Sequence, residues 1–72
     1  MKQIGLIGVG NMGEALLSGL LNRGDIAKSE VIIHSKTVAN QERTAQKYGV
    51  ETCANNKDLA RQAKIIILAI KP

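Results

Sequence analysis

Six residues, Gly8-Val9-Gly10-Asn11-Met12-Gly13, limit this chain more than any other feature. They spell G-x-G-x-x-G, a weak signal when it stands alone. Its flanks give it meaning. Before it lies Ile4-Gly5-Leu6-Ile7, a short apolar run of the kind a buried strand shows. After it, from Asn11 to Asn22, Met12, Leu16, Gly19 and Leu20 recur at spacings of three and four, and Leu17 and Leu21 widen the same face. That period predicts an amphipathic helix with this face turned inward. A strand that turns through glycines into a helix suits an anionic ligand. Gly8 lets the chain leave the strand sharply, Gly10 lets a pyrophosphate approach the backbone, and Gly13 lets the helix sit close to the strand. The free N–H groups of the first helical turn then face the phosphates. The bland alternative is three turn glycines with no ligand. Strand, spacing and helix agree, so dinucleotide binding is the better reading.

The rest of the chain repeats the alternation. Gly24 predicts the end of the first helix, and a polar loop from Asp25 to Ser29 leads to a second buried strand at Val31-Ile32-Ile33. Ser35-Lys36-Thr37 reads as a turn. Val38 to Tyr48 reads as a second helix with a thin inner face of Val38, Ala45 and Tyr48, ended by Gly49. Val50 to Cys53 is a short strand. Asn55 or Asn56 caps a third helix that runs to about Ala63, with Leu59 and Ala63 facing in. Ile65 to Ile70 is apolar throughout, as parallel strands covered on both faces are. The expected fold is α/β and Rossmann-like, a parallel β-α-β-α-β-α-β half-sheet that forms part of a larger doubly wound domain. In such a sheet the strand order reverses between the first and fourth strands, and the ligand crosses their carboxyl ends. Both Gly8–Gly13 and Ala69-Ile70-Lys71-Pro72 fall at those ends.

The second strand bears on the choice of dinucleotide. An NAD site normally ends this strand in Asp or Glu, which accepts hydrogen bonds from the adenosine ribose. Here it ends His34-Ser35-Lys36-Thr37, and the nearby acids, Asp25 and Glu30, precede the strand. Two hydroxyls and an ammonium suit a 2′-phosphate, which favours NADP(H) and leaves NAD(H) as the alternative. His34 is read as a strand-end residue beside the adenine, Cys53 as a small buried hydrophobe, and Met12 as a packing residue of the first helical turn.

Composition excludes other classes. One cysteine and one histidine are too few for a disulfide framework or a four-ligand zinc site, and a single aromatic, Tyr48, rules out a stacking RNA-binding sheet. The net charge of +4 raises nucleic acid as a partner, but the ten Lys and Arg stand singly, as on solvated helix faces. No nucleic acid, membrane or metal is expected as a partner. The free cysteine and the lack of a signal-peptide pattern point to the cytoplasm.

Three segments together, Ile4-Gly5-Leu6-Ile7-Gly8-Val9-Gly10-Asn11-Met12-Gly13-Glu14-Ala15-Leu16, Tyr48-Gly49-Val50 and Ile67-Leu68-Ala69-Ile70-Lys71-Pro72, resemble pyrroline-5-carboxylate reductase. The glycine start is shared with other β-hydroxyacid-dehydrogenase-like and F420-dependent NADP oxidoreductases, and the Ala-aliphatic-Lys-Pro ending is more specific. The resemblance implies reduction of 1-pyrroline-5-carboxylate, a small cyclic imine, to L-proline with NADPH. It implies cofactor contacts from Ile7, Gly8, Val9, Gly10, Asn11 and Met12, from Ser35, Lys36 and Thr37, from Asn56 beside the adenosine, and from Ala69, Ile70, Lys71 and Pro72 near the nicotinamide. Many relatives carry arginine where Lys36 stands. The resemblance further implies that residues 1–72 are the N-terminal part of the cofactor domain. The substrate contacts and homo-oligomer interface would then lie in a helical C-terminal domain absent here, and this chain by itself would bind cofactor without turning over substrate. Two alternatives are an NADP-dependent oxidoreductase of the same group with another substrate, and a non-catalytic nucleotide-binding regulatory relative.

Overall fold

The computed structural model describes residues 2–24 and 26–69. Asp25 of the first loop and Ile70, Lys71 and Pro72 of the candidate site lie outside them. In chain order the elements are β1 (Lys2–Ile7), α1 (Asn11–Arg23), β2 (Val31–His34), α2 (Val38–Tyr48), β3 (Glu51–Thr52), α3 (Asn56–Gln62) and β4 (Ala63–Leu68), with a 3-10 turn at Lys28–Glu30 before β2. The strands form one sheet in the order β3-β2-β1-β4, and every pairing is parallel. Leu6 of β1 lies level with Ile33 of β2 on one side and Ile67 of β4 on the other. The order turns back at β1, so the expected reversal between the first and fourth strands is present.

Alternation along the strands divides the core between two faces. Leu6, Val31 and Ile33 pack with Leu17 and Leu21 of α1, with Ala45 and Tyr48 of α2, and with Val9, Val50 and Ala69. Ile7 and Ile32 point the other way, to a smaller cluster with Cys53, Ala63 and Leu59 of α3. Thus α1 and α2 cover one face and α3 the other. Cys53 is buried, as its reading as a small hydrophobe required.

The helices fit their expected spans better than their expected faces. α1 buries Gly13 and Leu17, whereas Met12 is 66% exposed and Leu16 is exposed as well. Met12 is therefore not a packing residue. It stands on the first turn of α1, past the carboxyl end of β1, and remains largely exposed there. α2 leaves Val38, its first residue, exposed and buries Thr44 instead, whose hydroxyl finds no partner among the described residues. Both helices end on a left-handed glycine, Gly24 and Gly49, as expected. β3 is confined to Glu51–Thr52, shorter than Val50–Cys53, and β4 begins already at Ala63.

β4 is the strand whose sequence is apolar on both faces, and it is left partly uncovered, as such a run is expected to be in this part of a larger domain. It pairs with β1 alone among the described strands, and its outward residues Ile65, Ile66 and Leu68 are 56%, 41% and 65% exposed. An apolar run is thus covered on neither face along most of its length, the condition in which edge strands associate.

Candidate functional site

At the carboxyl end of β1 the backbone makes the turn that the glycines foretold. Gly8 takes φ +90°, a left-handed conformation that disfavours any side chain, while its N–H still donates to the His34 carbonyl at 2.8 Å. Val9 is buried beneath the turn. Gly10 caps α1 in an extended conformation, and the Glu14 N–H donates to its carbonyl at 2.9 Å. The N–H groups of Asn11, Met12 and Gly13 belong to the first helical turn, whose donors have no intrahelical acceptor. A Cβ added to Gly10 would meet nothing within 4 Å, so this backbone faces open space. A Cβ on Gly13 would stand 2.3 Å from the Gly8 carbonyl oxygen and 3.3 Å from the Ala69 Cβ. Gly13 thus permits the helix to press against the turn. Ala69, whose N–H donates to Ile7 O at 2.8 Å, is brought to the same spot from the far end of the chain. Ile7, Gly8, Val9, Gly10, Asn11, Met12, Gly13 and Ala69 therefore gather at one sheet end.

Ser35, Lys36 and Thr37 follow β2 at that same end. Ser35 is half-buried, and Lys36 and Thr37 are exposed. The Thr37 N–H donates to Ser35 Oγ at 3.3 Å, closing a small turn. His34 ends β2 and uses Nδ1 to donate to the Cys53 carbonyl at 2.9 Å, which fixes its tautomer because a carbonyl can only accept. Beyond β3, Asn55 caps α3: its Oδ1 accepts from the Asp58 N–H at 2.8 Å. That settles the choice between the two asparagines, and it leaves Asn56 exposed on the first turn with its amide uncommitted to the cap.

Sequence reading missed two clusters here. Gln41 of α2 accepts from the Ser35 N–H with Oε1 at 2.8 Å and donates from Nε2 to the Cys53 carbonyl at 3.2 Å. Glu14, on the first turn of α1, gathers Lys47 Nζ at 2.7 Å, the Tyr48 hydroxyl at 3.1 Å and both Arg43 terminal nitrogens at 3.5 Å, all from α2. Lys47 and Arg43 are thus paired cations rather than merely solvated ones. The Lys47 hydrogen bond above all, then that of Tyr48 and the charges of Lys47 and Arg43, hold the Glu14 carboxyl below the usual carboxylate range against the opposing effect of burial. The same pair raises Lys47, chiefly through the Glu14 hydrogen bond. A folded-state value below the unfolded one means that Glu14 stabilises fully above the ordinary glutamate value of ~4.3 and progressively less as pH falls through the folded value. Lys47 stabilises fully below its ordinary ~10.4 and less as pH rises through its raised value. Urea midpoints followed from pH 6 to pH 3 should therefore fall more steeply for the wild-type chain than for Glu14→Gln. Parallel curves would show that the cluster adds nothing to stability.

A shallow cleft of about 420 Å³, lined by Lys2, Ser29, Arg61 and Gln62, lies at the opposite, amino end of the strands. Its Lys2 ammonium is already engaged by the Ser29 carbonyl at 2.7 Å and the Glu51 carboxylate at 3.0 Å. Among the described residues no group of His, Cys, Asp or Glu could hold a metal ion.

This geometry has counterparts. The family described as NADP oxidoreductase, coenzyme F420-dependent, matches residues 3–72. The chain belongs to that family. Among its curated relatives, pyrroline-5-carboxylate reductase of Escherichia coli is 31% identical over 99% of this chain, and pyrroline-5-carboxylate reductase 2 of Bacillus subtilis is 35% identical over all of it. Solved structures agree with the family's fold. A pyrroline-5-carboxylate reductase from Coxiella burnetii superimposes with a TM-score of 0.87 at 28% identity, covering 99% of this chain and 26% of that one. The Plasmodium falciparum pyrroline carboxylate reductase, solved with NADP bound, gives 0.79 at 31% identity, covering 99% and 24%. The chain spans about a quarter of the length of the curated relatives it matches, 26% in the two named.

Proposed function

We propose that this chain is the cofactor-binding part of an NADPH-dependent reductase that converts 1-pyrroline-5-carboxylate to L-proline. The observation that carries the reading is the site at the carboxyl end of the sheet. An open glycine turn and helix start lie beside a second-strand turn that offers hydroxyls and an ammonium but no carboxylate. The likeness to pyrroline-5-carboxylate reductases along the whole chain supports the substrate. On the same reading, the substrate contacts and a homo-oligomer interface belong to a further helical domain of the parent protein, which works in the cytoplasm.

The residues present suit the cofactor. The backbone at Gly10 faces open space, as a pyrophosphate requires, and the helix start directs its free N–H groups there. Ser35, Lys36 and Thr37 lie one strand away, where they would take the adenosine ribose and its 2′-phosphate, with Asn56 on the far side of the adenosine. Ile7 and Ala69, joined at the carboxyl ends of β1 and β4, would lie toward the nicotinamide, while Ile70, Lys71 and Pro72, assigned to the same site from the sequence, lie outside the described residues. NADPH supplies the hydride for an imine carbon that is already electrophilic when protonated. The chain's own task is to hold the cofactor in place, and aligning the imine with it falls to the rest of the parent protein.

Fluorescence titration with NADPH and NADH tests this reading directly, since the chain has no tryptophan to interfere. Saturable binding that favours NADPH is expected. Lys36→Ala should then weaken NADPH about tenfold, the size of one lost charge-assisted hydrogen bond, and leave NADH unchanged. Equal loss for both nucleotides would remove Lys36 from the phosphate site. In the parent protein, proline formation from the imine with NADPH is expected. NADPH oxidation with some other substrate would favour a different oxidoreductase of the family, and binding without any turnover a regulatory relative.

A further inference from the structure

The turns after β2 and β3 supply different parts of the proposed adenosine site, yet they are separate loops of the chain. One side chain joins them. Gln41 uses both ends of its amide: Oε1 accepts from the Ser35 N–H at 2.8 Å and Nε2 donates to the Cys53 carbonyl at 3.2 Å. Because a backbone N–H can only donate and a carbonyl can only accept, a single amide orientation satisfies both. The Cys53 carbonyl takes a second donor, His34 Nδ1, and the Cys53 N–H is bonded to Ile33 O at 2.9 Å. The turn after β3 is thus anchored twice to the end of β2 and once to α2. Ser35, by contrast, has its backbone N–H fixed by Gln41, and its hydroxyl receives the Thr37 N–H. Gln41 is half-buried, and its own N–H donates to the Thr37 carbonyl at 3.0 Å, so backbone and side chain of one residue hold both ends of the Ser35–Thr37 turn.

We propose that Gln41 is a positioning residue for the adenosine end of the cofactor, which sets the Ser35–Thr37 turn against the turn after β3 and thereby maintains the discrimination between a phosphorylated and an unphosphorylated ribose. This rests on the NADPH reading above. The phosphate-facing groups are short hydroxyls and one flexible ammonium, so the backbone of the turn must supply their placement. Without the Ser35 N–H anchor the turn keeps the local bond from Thr37 N–H to Ser35 Oγ and the backbone bond from Gln41 N–H to the Thr37 carbonyl, neither of which fixes its Ser35 end against the turn after β3. NADH lacks the group that the turn is meant to grip, so its affinity is indifferent to that loss.

The test compares the wild-type chain with Gln41→Met, which keeps the length of the side chain and removes both bonds, and with Gln41→Glu, which keeps the acceptor for Ser35 and removes the donor to Cys53. Dissociation constants for NADPH and NADH are measured for each, alongside thermal melting. Gln41→Met is expected to weaken NADPH about tenfold while NADH stays within about twofold, so that the preference collapses. Gln41→Glu is expected to lose preference as well, through the misplaced turn and the added charge. An unchanged preference in a folded Gln41→Met chain overturns the role of Gln41 and leaves the cofactor reading intact. Equal weakening of both nucleotides together with a lowered melting temperature also overturns it, since that is the signature of a merely structural residue. A folded wild-type chain that binds neither nucleotide overturns the cofactor reading and this inference with it.

Discussion

Gly13→Ala is expected to reduce NADPH affinity on the order of a hundredfold. The added Cβ would lie 2.3 Å from the Gly8 carbonyl oxygen, a backbone atom that cannot swing aside as a side-chain tip would. Either α1 backs away from the turn or the Gly8 peptide rotates, and each moves the phosphate-facing N–H groups by something near an ångström. Misplacement of that size is enough to cost about two orders of magnitude in a preorganised site. The strain itself should lower stability by about 1–3 kcal/mol, the usual range for overpacking. Gly10→Ala provides the contrast. Its Cβ meets nothing within 4 Å and its φ of −77° suits alanine, so stability should stay within about 0.5 kcal/mol of the wild type. It should still impair NADPH binding, because the new methyl occupies the approach to the backbone. Titration and urea denaturation of both variants separate the two effects. Wild-type NADPH affinity in Gly13→Ala would show that the turn is not the phosphate seat.

The second large effect lies on the other face of the sheet. A Cβ on Gly5 of β1 would stand 2.4 Å from Leu59 Cδ2 and 2.8 Å from the Ala63 Cβ. Gly5 is where α3 comes closest to the central strand, and Leu59 fills the space with no exposed surface. Gly5→Ala should cost about 1–3 kcal/mol by overpacking, and Leu59→Ala about 2–5 kcal/mol by lost burial and the cavity left behind. A domain of this size holds only about 4–11 kcal/mol in all, so Leu59→Ala alone approaches the limit of folding. The double variant is the informative one. Removing Leu59 Cδ2 makes room for the Gly5 methyl, so the combined loss should fall short of the sum by about 1 kcal/mol or more. The Ala63 contact persists and keeps the rescue incomplete. Urea midpoints for the four chains give the coupling. Strict additivity would mean that α3 yields as a rigid body rather than through Leu59.

Much of this was legible in the residues, and the failures share a cause. The glycine turn could be read because each glycine answers a backbone demand that shows in spacing alone. The parallel order could be read because strands and helices alternate so regularly. What periodicity could not choose was the stripe that α1 buries. Leu16, Leu20, Leu17 and Leu21 spread apolar surface over an arc of about 140°, and only the position of the sheet turns the Leu17 and Leu21 side of it inward. A uniform apolar run such as Ile65–Leu68 likewise does not say whether its strand is central or at an edge. Glu14 was missed because its partners are 29 to 34 residues away, far outside the range in which helical charge spacing is informative. Gln41 was missed because both its partners are backbone atoms, which no side-chain pattern marks. At the candidate site, the glycine turn and the Ser35–Thr37 turn were named from the residues and Asn56 from the family resemblance, whereas the side chain that joins the two proposed adenosine turns was not named.

The strand order has a consequence for how the chain is made. β1 is translated before the other three strands and sits in the interior of the sheet, but its neighbour on one side, β4, is the last of the four to be made. Until then a nascent β1-β2-β3 sheet carries an open edge at β1, and Gly5 has neither Leu59 nor Ala63 to cover it. The Ala69 N–H that closes on Ile7 arrives later still. The glycine turn is therefore translated early and completed late, and the growing polypeptide passes through a stage in which its innermost strand is its most exposed.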